Sequence, residues 1–331
     1  MDAADPRRPA AAPLATLAVL TAAYVLSQFF RTALAVVAPE IAQDLALAPS
    51  ELGVLSSAWF WAFAAAQIPV GVALDRWGPR RTVGVVFATA GVGCAVFASA
   101  SSLAMAALGQ ALIGIGCAPV FMGTLVVLTR FFEARRFAVL SSTILAVGNG
   151  GTLLGTTPMA LATEWAGWRG TFLIMGGVVV GLAALALVIV RDAPTSTPRP
   201  RVEETLAATV RGIVAIVRNR RLWAILPISF TGYAALVTVR GLWAGPYLTD
   251  LFAMAPLARG QVLLAMSVAT ILGTLAYGFI EQRLDRRRGP VLVGSLGAVL
   301  GLLLLALLPA PSAFTATMLL TAFAALAATY P

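Results

Sequence analysis

The sequence has little charge, and two ionisable residue types are missing from it. Only 11% of the 331 residues are charged, whereas a soluble domain of this length carries about 25%. Lysine and histidine are both absent, so all 23 basic residues are arginine, and 60% of the chain is hydrophobic. This composition excludes an ordinary soluble domain and predicts an integral membrane protein.

Cysteine is scarce as well. Cys94 and Cys117 both fall inside apolar runs, which favours two buried small side chains over a disulfide or a metal site. No nucleophile–base pair, metal cluster or phosphate-binding loop is visible in the sequence. We therefore expect no enzyme activity, no catalytic or metal-binding residue and no cofactor.

What the chain has in abundance is long apolar runs. Runs of about 20 residues are long enough to cross a hydrocarbon core as helices, and their continuity lacks the alternation that barrel strands need. The predicted fold class is an all-α integral membrane protein. Ten spans are predicted, at residues 14–38, 52–73, 82–100, 103–129, 138–161, 170–190, 222–249, 260–280, 290–309 and 312–330.

The arginines between the spans lie mainly on one side. Nineteen of them fall in the tail 1–13 and in the connections 74–81, 130–137, 191–221 and 281–289. The opposite connections hold only Arg169 and Arg259, beside five acidic residues. By the positive-inside rule the tail and the linker 191–221 are cytoplasmic, and we call the arginine-poor side the outer side. The basic excess thus indicates topology in a bacterial inner membrane and contact with lipids, and no nucleic-acid partner is expected.

The linker divides the chain into two parts. A disordered tail (1–13) precedes an N-terminal six-helix half (14–190), and an incomplete C-terminal half (222–331) with four helices follows the linker 191–221. Within the linker, apolar residues recur at helical spacing, which predicts an amphipathic helix on the inner membrane surface. A plain solvated tether is the alternative.

An internal repeat relates the two halves. Four residues of the first half recur 209 or 210 positions later, Tyr24 and Arg31 as Tyr233 and Arg240, and Asp75 and Arg76 as Asp285 and Arg286. This offset predicts two parallel, pseudo-symmetric repeats. Since six spans per repeat imply twelve in all, two further helices are expected beyond Pro331.

The stretch from Gly71 to Arg81 reads GVALDRWGPRR, a G-x-x-x-D-R-x-G-x-R-R pattern between spans 2 and 3. It resembles the loop signature of the major facilitator superfamily of secondary transporters. The resemblance implies that Asp75 faces the other half at the inner surface and stabilises the outward-open state. It also implies that Gly71 allows close helix approach and that Arg80 and Arg81 reach lipid headgroups or anchor the loop. The gating residues implied in this way are Gly71, Asp75, Arg76, Gly78, Arg80 and Arg81, with Asp285 and Arg286 in the degenerate second copy.

Two further stretches resemble the same family, and a third, residues 146–158, is glycine-rich like the helix 5 motif of its drug antiporters but lacks the glycine–proline order. Gly167-Trp168-Arg169 is similar to its entry into helix 6, and residues 107–118 are similar to its helix 4 signature. Gln110 stands there where many proton-coupled exporters carry arginine, which argues against an arginine-based proton relay. In the glycine-rich stretch 146–158, Gly148, Gly151 and Gly155 recur at three and four residues, a spacing that predicts a close-packing helix face.

Arg31 and Arg240 are the informative residues for function. An arginine inside a span costs about 2.5–3.5 kcal/mol on insertion scales, so it is expected to face a cavity. Snorkelling of each to the outer interface is the alternative. Because no aspartate or glutamate lies inside any predicted span, the substrate is the expected partner, and two guanidinium groups suit a carboxylate or phosphate.

The pair also resembles the organic-anion and organophosphate branches of the superfamily, which carry arginine on helices 1 and 7 and a nearby tyrosine. Tyr24 and Tyr233 are therefore candidate hydroxyl donors, with core packing as the alternative. Gln28 and Asn149 are secondary pocket candidates. Trp59 and Trp61 are expected to pack or to face lipid.

The predicted function is a monomeric secondary transporter that moves a small organic anion, of carboxylate or phosphate type, by alternating access. The absence of histidine and of buried carboxylates favours exchange or anion-driven uptake over proton antiport. Two alternatives remain open at this point. One is a carrier for peptides, drugs or other amphiphiles, and the other is a non-transporting sensor on the same fold.

Overall fold

The computed structural model describes residues 11–192, 223, 234–284, 288–308 and 312–327. These ranges are helical throughout, apart from short turns, and contain no β-strand, which confirms the predicted all-α class. The helices with defined bounds are α1 (Ala11–Asp44), α2 (Pro49–Ala98), α3 (Leu103–Phe131), α4 (Ala134–Leu154), α5 (Thr157–Ile189), a π-helical segment (Val239–Trp243), α6 (Ala244–Phe252), α7 (Pro256–Leu284), α8 (Arg288–Leu307) and α9 (Ala313–Ala327).

Among the described residues, five helices are long and apolar enough to cross a membrane, namely α1, α2, α3, α5 and α7. Shorter apolar helices at Leu140–Leu154, Leu292–Leu307 and Ala313–Ala327 accompany them. Large apolar and aromatic side chains are widely exposed, including Trp61 at 74% and Trp165 at 82%. Such a surface is unfavourable in water and suits contact with lipid tails.

Helix α2 is 50 residues long and doubles back at Gly78. Gly78 has φ 76° and ψ 168°, outside the helical region, whereas its neighbours stay helical. On either side of the turn, Leu74 and Val83 both pack near Gly123 of α3. The predicted spans 2 and 3 are therefore the two arms of α2, and the predicted loop 74–81 is corrected to a turn at one glycine.

The boundary between predicted spans 5 and 6 also differs from the prediction. Span 5 was expected to run unbroken over 138–161, but α4 ends at Leu154 and α5 begins at Thr157. Pro158 has no N–H to donate to the Leu154 carbonyl, and the loss of that hydrogen bond favours a break in the helix here. The predicted reversal before span 6 lies at Gly167, which has φ 68° and ψ 167° within α5.

Helix α1 is longer than the predicted span at both ends. It starts at Ala11, three residues inside the predicted tail, and continues through Pro39 to Asp44. Several predictions lie outside the described residues. These are the rest of the tail, nearly all of the linker with its amphipathic helix, and the repeat residues Tyr233, Asp285 and Arg286.

The chain divides into two compact units. The first comprises residues 1–193 and 240–267. Its interior is apolar and aromatic, with Phe97 packed edge-on against Trp168 and Phe172 at centroid distances of 5.4 and 4.6 Å. The segment 240–267 belongs to this unit because α6 packs along α1.

The second unit comprises residues 194–239 and 268–331. In its described part, α8 packs against α9. Gly273 of α7 lies against the backbone of Ala325, where a β-carbon would overlap the carbonyl oxygen. The hydroxyl of Tyr277 donates to the Leu326 carbonyl at 3.5 Å, so the same two helices are also joined by a polar contact.

Candidate functional site

Arg31 lies over two stacked aromatic rings. Its guanidinium carbon is 5.4 Å from the ring centroid of Trp59 and 5.0 Å from that of Phe63. Those two rings are nearly parallel, 5.0 Å apart and 10° inclined. A guanidinium at this distance from ring faces is attracted by their negative quadrupoles. The rings therefore fix the position of the charge within the span.

Arg31 lines a small cavity together with Ser56, Trp59, Gln110 and Gly241. Gln110 is 3% exposed and adds an amide group to the wall. The cavity holds about 10 Å³, no more than one water. A cavity of this volume is too small for an organic anion.

Arg240 lies in the π-helical segment Val239–Trp243 and is half-buried. Single π-helical turns often mark functional sites, because they re-aim the side chains of one turn. Its neighbour Gly241 forms part of the cavity wall beside Arg31. The joint binding of one anion by Arg31 and Arg240 stays a prediction.

The structure brings two of the secondary candidates together. The Nε2 of Gln28 donates to the Oδ1 of Asn149 at 2.9 Å, across α1 and α4. Gln28 is 6% exposed, and its Oε1 has no hydrogen-bond partner within the described part of the chain. The pair thus offers a buried acceptor one turn of α1 away from Arg31.

Tyr24 packs into the first unit. It is 6% exposed and stacks on Phe121 at a centroid distance of 4.9 Å. A β-carbon on Gly148 would overlap its ring, and Gly151 and Gly155 approach Val25 and Thr32 in the same way. The predicted close-packing face of α4 is confirmed, while a substrate contact by the Tyr24 hydroxyl stays a prediction.

The loop signature is anchored by a residue that the sequence did not single out. The backbone N–H of Arg80 donates to the Oδ1 of Asp192 at 3.1 Å, and its Nε donates to the Leu187 carbonyl at 2.5 Å. Arg80 therefore anchors the turn to the end of α5, and its gating role stays a prediction. Gly71 has no heavy atom within 4 Å of its β-carbon position among the described residues. Asp75, Arg76 and Arg81 are exposed, and their gating roles stay predictions.

The Gly167-Trp168-Arg169 stretch braces the outer end of the first unit. Arg169 pairs with Asp44 at 2.9 Å and donates to the carbonyls of Ala98 and Ala100 at 2.8 and 2.7 Å. The indole N–H of Trp168 also donates to Asp44, at 3.2 Å. One arginine therefore ties α1, the end of α2 and α5 together.

The helical fold, its doubled-back α2 and the arginine within α1 are those of an integral membrane protein with a charge inside one span. The sequence profile of the Major Facilitator Superfamily matches residues 20–331. The chain belongs to this family.

Curated relatives are similar over much of the chain. A probable sulfoacetate transporter of Cupriavidus necator is 28% identical over 316 residues, which cover 91% of this chain and 72% of that protein. Human monocarboxylate transporter 11 is 32% identical over 69% of this chain and 46% of its own length. A probable galactarate/D-glucarate transporter of Escherichia coli is 23% identical over 78% of this chain and 63% of that protein. The chain thus spans less than two thirds of the latter two.

Solved structures show the same fold. A bacterial homolog of the human lysosomal transporter Spinster superposes with a TM-score of 0.77 at 17% identity, over 95% of this chain and 72% of that one. A D-xylose–proton symporter superposes with a TM-score of 0.70 at 16% identity, over 96% and 80% of the two chains. The predicted major facilitator fold is confirmed.

Proposed function

We propose that this protein is a secondary transporter that moves a small organic anion across the membrane by alternating access. Family membership supports transport. The names of its relatives support the substrate class, since sulfoacetate, galactarate, D-glucarate and monocarboxylates are all organic anions. A small organic anion of carboxylate or phosphate type is the substrate class that this chemistry favours.

Arg31 is the observation that carries the proposal. Its guanidinium is permanently charged and planar, with donors spaced for two oxygens of one carboxylate. Trp59 and Phe63 hold it in place from the faces of their rings, and Gln110 supplies amide donors on the same cavity wall. We assign Arg31 the role of anion anchor, with Arg240 as its counterpart from the second repeat.

The charge of this site also bears on how transport is driven. Two arginines that converge on one cleft repel each other, and a bound anion removes that repulsion. Occupancy then lowers the barrier to closing the cleft, which favours exchange of anions or anion-driven uptake. The tail and the linker face the cytoplasm in this proposal, as the arginine distribution indicates.

The test is uptake by liposomes that contain the purified full chain. Sulfoacetate, D-glucarate and L-tartrate serve as probes, with a neutral sugar as reference. Arg31→Gln is expected to lower uptake by roughly 10- to 100-fold, the equivalent of a hydrogen-bonded charged group. Arg136→Gln is the matched control, because it removes the same charge from an exposed position and is expected to transport normally.

Two results contradict the proposal. One is uptake of the anions by Arg31→Gln at the rate of the unaltered protein. The other is uptake of the neutral sugar alone. A measurement of counterflow, with unlabelled anion inside the liposomes, separates exchange from net uptake in the same preparation.

A further inference from the structure

Arg259 is the largest side chain that is fully buried within the described part of the chain. It is 1% exposed and lies in the first turn of α7. The sequence places it among the charges of an outer connection, where it would be expected to be solvated. A guanidinium loses its hydration on burial and stays charged, so it needs acceptors in fixed positions.

Those acceptors come from two other helices. Arg259 pairs with the Oε1 of Glu40 at 2.5 Å, and the same nitrogen donates to the Val36 carbonyl of α1. Its second terminal nitrogen donates to the hydroxyl of Thr249 in α6 at 2.8 Å. One buried side chain thus joins α1, α6 and α7 by three hydrogen bonds.

The backbones of α1 and α6 also meet next to this pair. Pro39 has no N–H, so the Ala35 carbonyl of α1 lacks its usual helical donor. Gly245 of α6 lies directly against that carbonyl, where a β-carbon would overlap the oxygen. The backbones of α1 and α6 therefore approach each other closely. At the outer end of this contact, Arg259 hydrogen-bonds to both helices.

A cavity of about 740 Å³ lies beside the pair and is lined by both Glu40 and Arg259. Trp243 and Tyr247 form part of its wall. By contrast, the cavity at Arg31, deeper along α1, holds only about 10 Å³. Along α1, the Glu40–Arg259 pair therefore lies between the large outer cavity and the small cavity at Arg31.

We propose that Glu40 and Arg259 form the outer gate of the transport path. The pair holds α1 against α6 and the start of α7 in the closed arrangement, and it breaks when the path opens to the outer side. This inference rests on the proposed transport function. Glu40 is the releasable partner, because its side chain is 27% exposed while that of Arg259 is 2% exposed.

The test measures access to the inner cavity from each side of the membrane. Ser56 lines that cavity, so Ser56→Cys is introduced with Cys94→Ala and Cys117→Ala in the full chain. A membrane-impermeant thiosulfonate is added to right-side-out and to inside-out vesicles without any substrate. Glu40→Gln is expected to raise labelling roughly tenfold from the outer face only, as a shift toward the open population.

A second ion pair provides the matched control. Asp44 pairs with Arg169 on the same outer side, but it joins α1 to α5 and is partly exposed. Asp44→Asn is expected to leave labelling from the outer face unchanged. Glu40→Asp, which keeps a carboxylate on a shorter stem, is expected to give a rate between those of the unaltered protein and Glu40→Gln.

The inference is overturned if Glu40→Gln and Glu40→Asp both label at the unaltered rate from the outer face. It is also overturned if Asp44→Asn raises labelling as much as Glu40→Gln, because general loosening then explains both. Size-exclusion profiles confirm that the variants are folded. Since the labelling is measured without substrate, a negative result overturns the gate but does not bear on anion transport. Anion transport is tested separately by uptake.

Discussion

Gly78 and Asp192 are packed against each other so closely that no larger residue fits at position 78. A β-carbon there would lie 2.6 Å from the Oδ1 of Asp192. That same oxygen accepts the N–H of Arg80, two residues further along the turn. The turn between the two arms of α2 is therefore held at its glycine by Asp192, three residues beyond the end of α5.

Gly78→Ala is expected to destabilise the protein. The conformation at φ 76° and ψ 168° is essentially open only to glycine and costs of order 1–3 kcal/mol for other residues. The clash with Asp192 adds to this. The melting temperature of the detergent-solubilised protein measures the loss. Gly71→Ala, at a helical position in open space, is the control and is expected to melt as the unaltered protein does.

Gly151→Ala is expected to separate α4 from α1. The new methyl would overlap the Val25 carbonyl, and overpacking of this kind costs typically 1–3 kcal/mol. Gly150 is adjacent, and its β-carbon position has no heavy atom within 4 Å among the described residues. Gly150→Ala should therefore be neutral or slightly stabilising. Equal melting temperatures for the two variants would show that the glycine face of α4 does not pack closely against α1.

Trp59→Leu is expected to weaken binding of the anion, because Arg31 loses the ring that positions it. A desolvated cation–π contact is worth about 2 kcal/mol, so the KM for sulfoacetate should rise roughly 30-fold. Trp59→Phe keeps a ring and should restore most of the affinity. Trp61→Leu, two residues further on and 74% exposed, is the control. A KM that rises equally in Trp59→Leu and Trp61→Leu would contradict the role given to Trp59.

Gly245→Ala is expected to push α6 away from α1, since the methyl would overlap the Ala35 carbonyl. If Arg259 closes that contact, labelling of Ser56→Cys from the outer face should rise in this variant too. Gly177→Ala introduces the same methyl into open space in α5 and should leave labelling unchanged. A rise from the inner face alone would count against the proposed gate.

Residue spacing predicted those features that depend on neighbours along one helix. Gly148, Gly151 and Gly155 share a face because their spacing matches the helical period, and the structure places that face against α1. Arg31 was singled out because a charge inside an apolar run is costly. Both inferences used only local information, which one sequence supplies.

Spacing predicted least where partners lie far apart in the chain. Asp192 and the residue it anchors, Arg80, are 112 positions apart, and Glu40 and Arg259 are 219 apart. Nothing in the periodicity of either segment indicates that these charges meet. The sequence did contain one indication that Arg259 has a specific role, since it is one of only two arginines in the outer connections.

The two tryptophans of α2 show the same limit at short range. Trp59 is 2% exposed and Trp61 is 74% exposed, yet both lie in one apolar run. Residues two apart point to different sides of a helix, so the two tryptophans cannot share one environment. Only the packing of α3 and α1 decides which one faces inward.

Helix α1 carries three candidate functional residues, namely Gln28 at the amide pair, Arg31 at the inner cavity and Glu40 at the outer pair. Arg31 and Glu40 are nine residues apart, which is about 14 Å along a helix axis. A helix that tilts as a rigid body moves at both ends. If an anion bound at Arg31 tilts α1, the tilt is therefore expected to displace Glu40 as well. Pro39, immediately before Glu40, cannot donate the backbone hydrogen bond that would stiffen the helix at this point. The displacement of Glu40 therefore depends on how far α1 bends at Pro39.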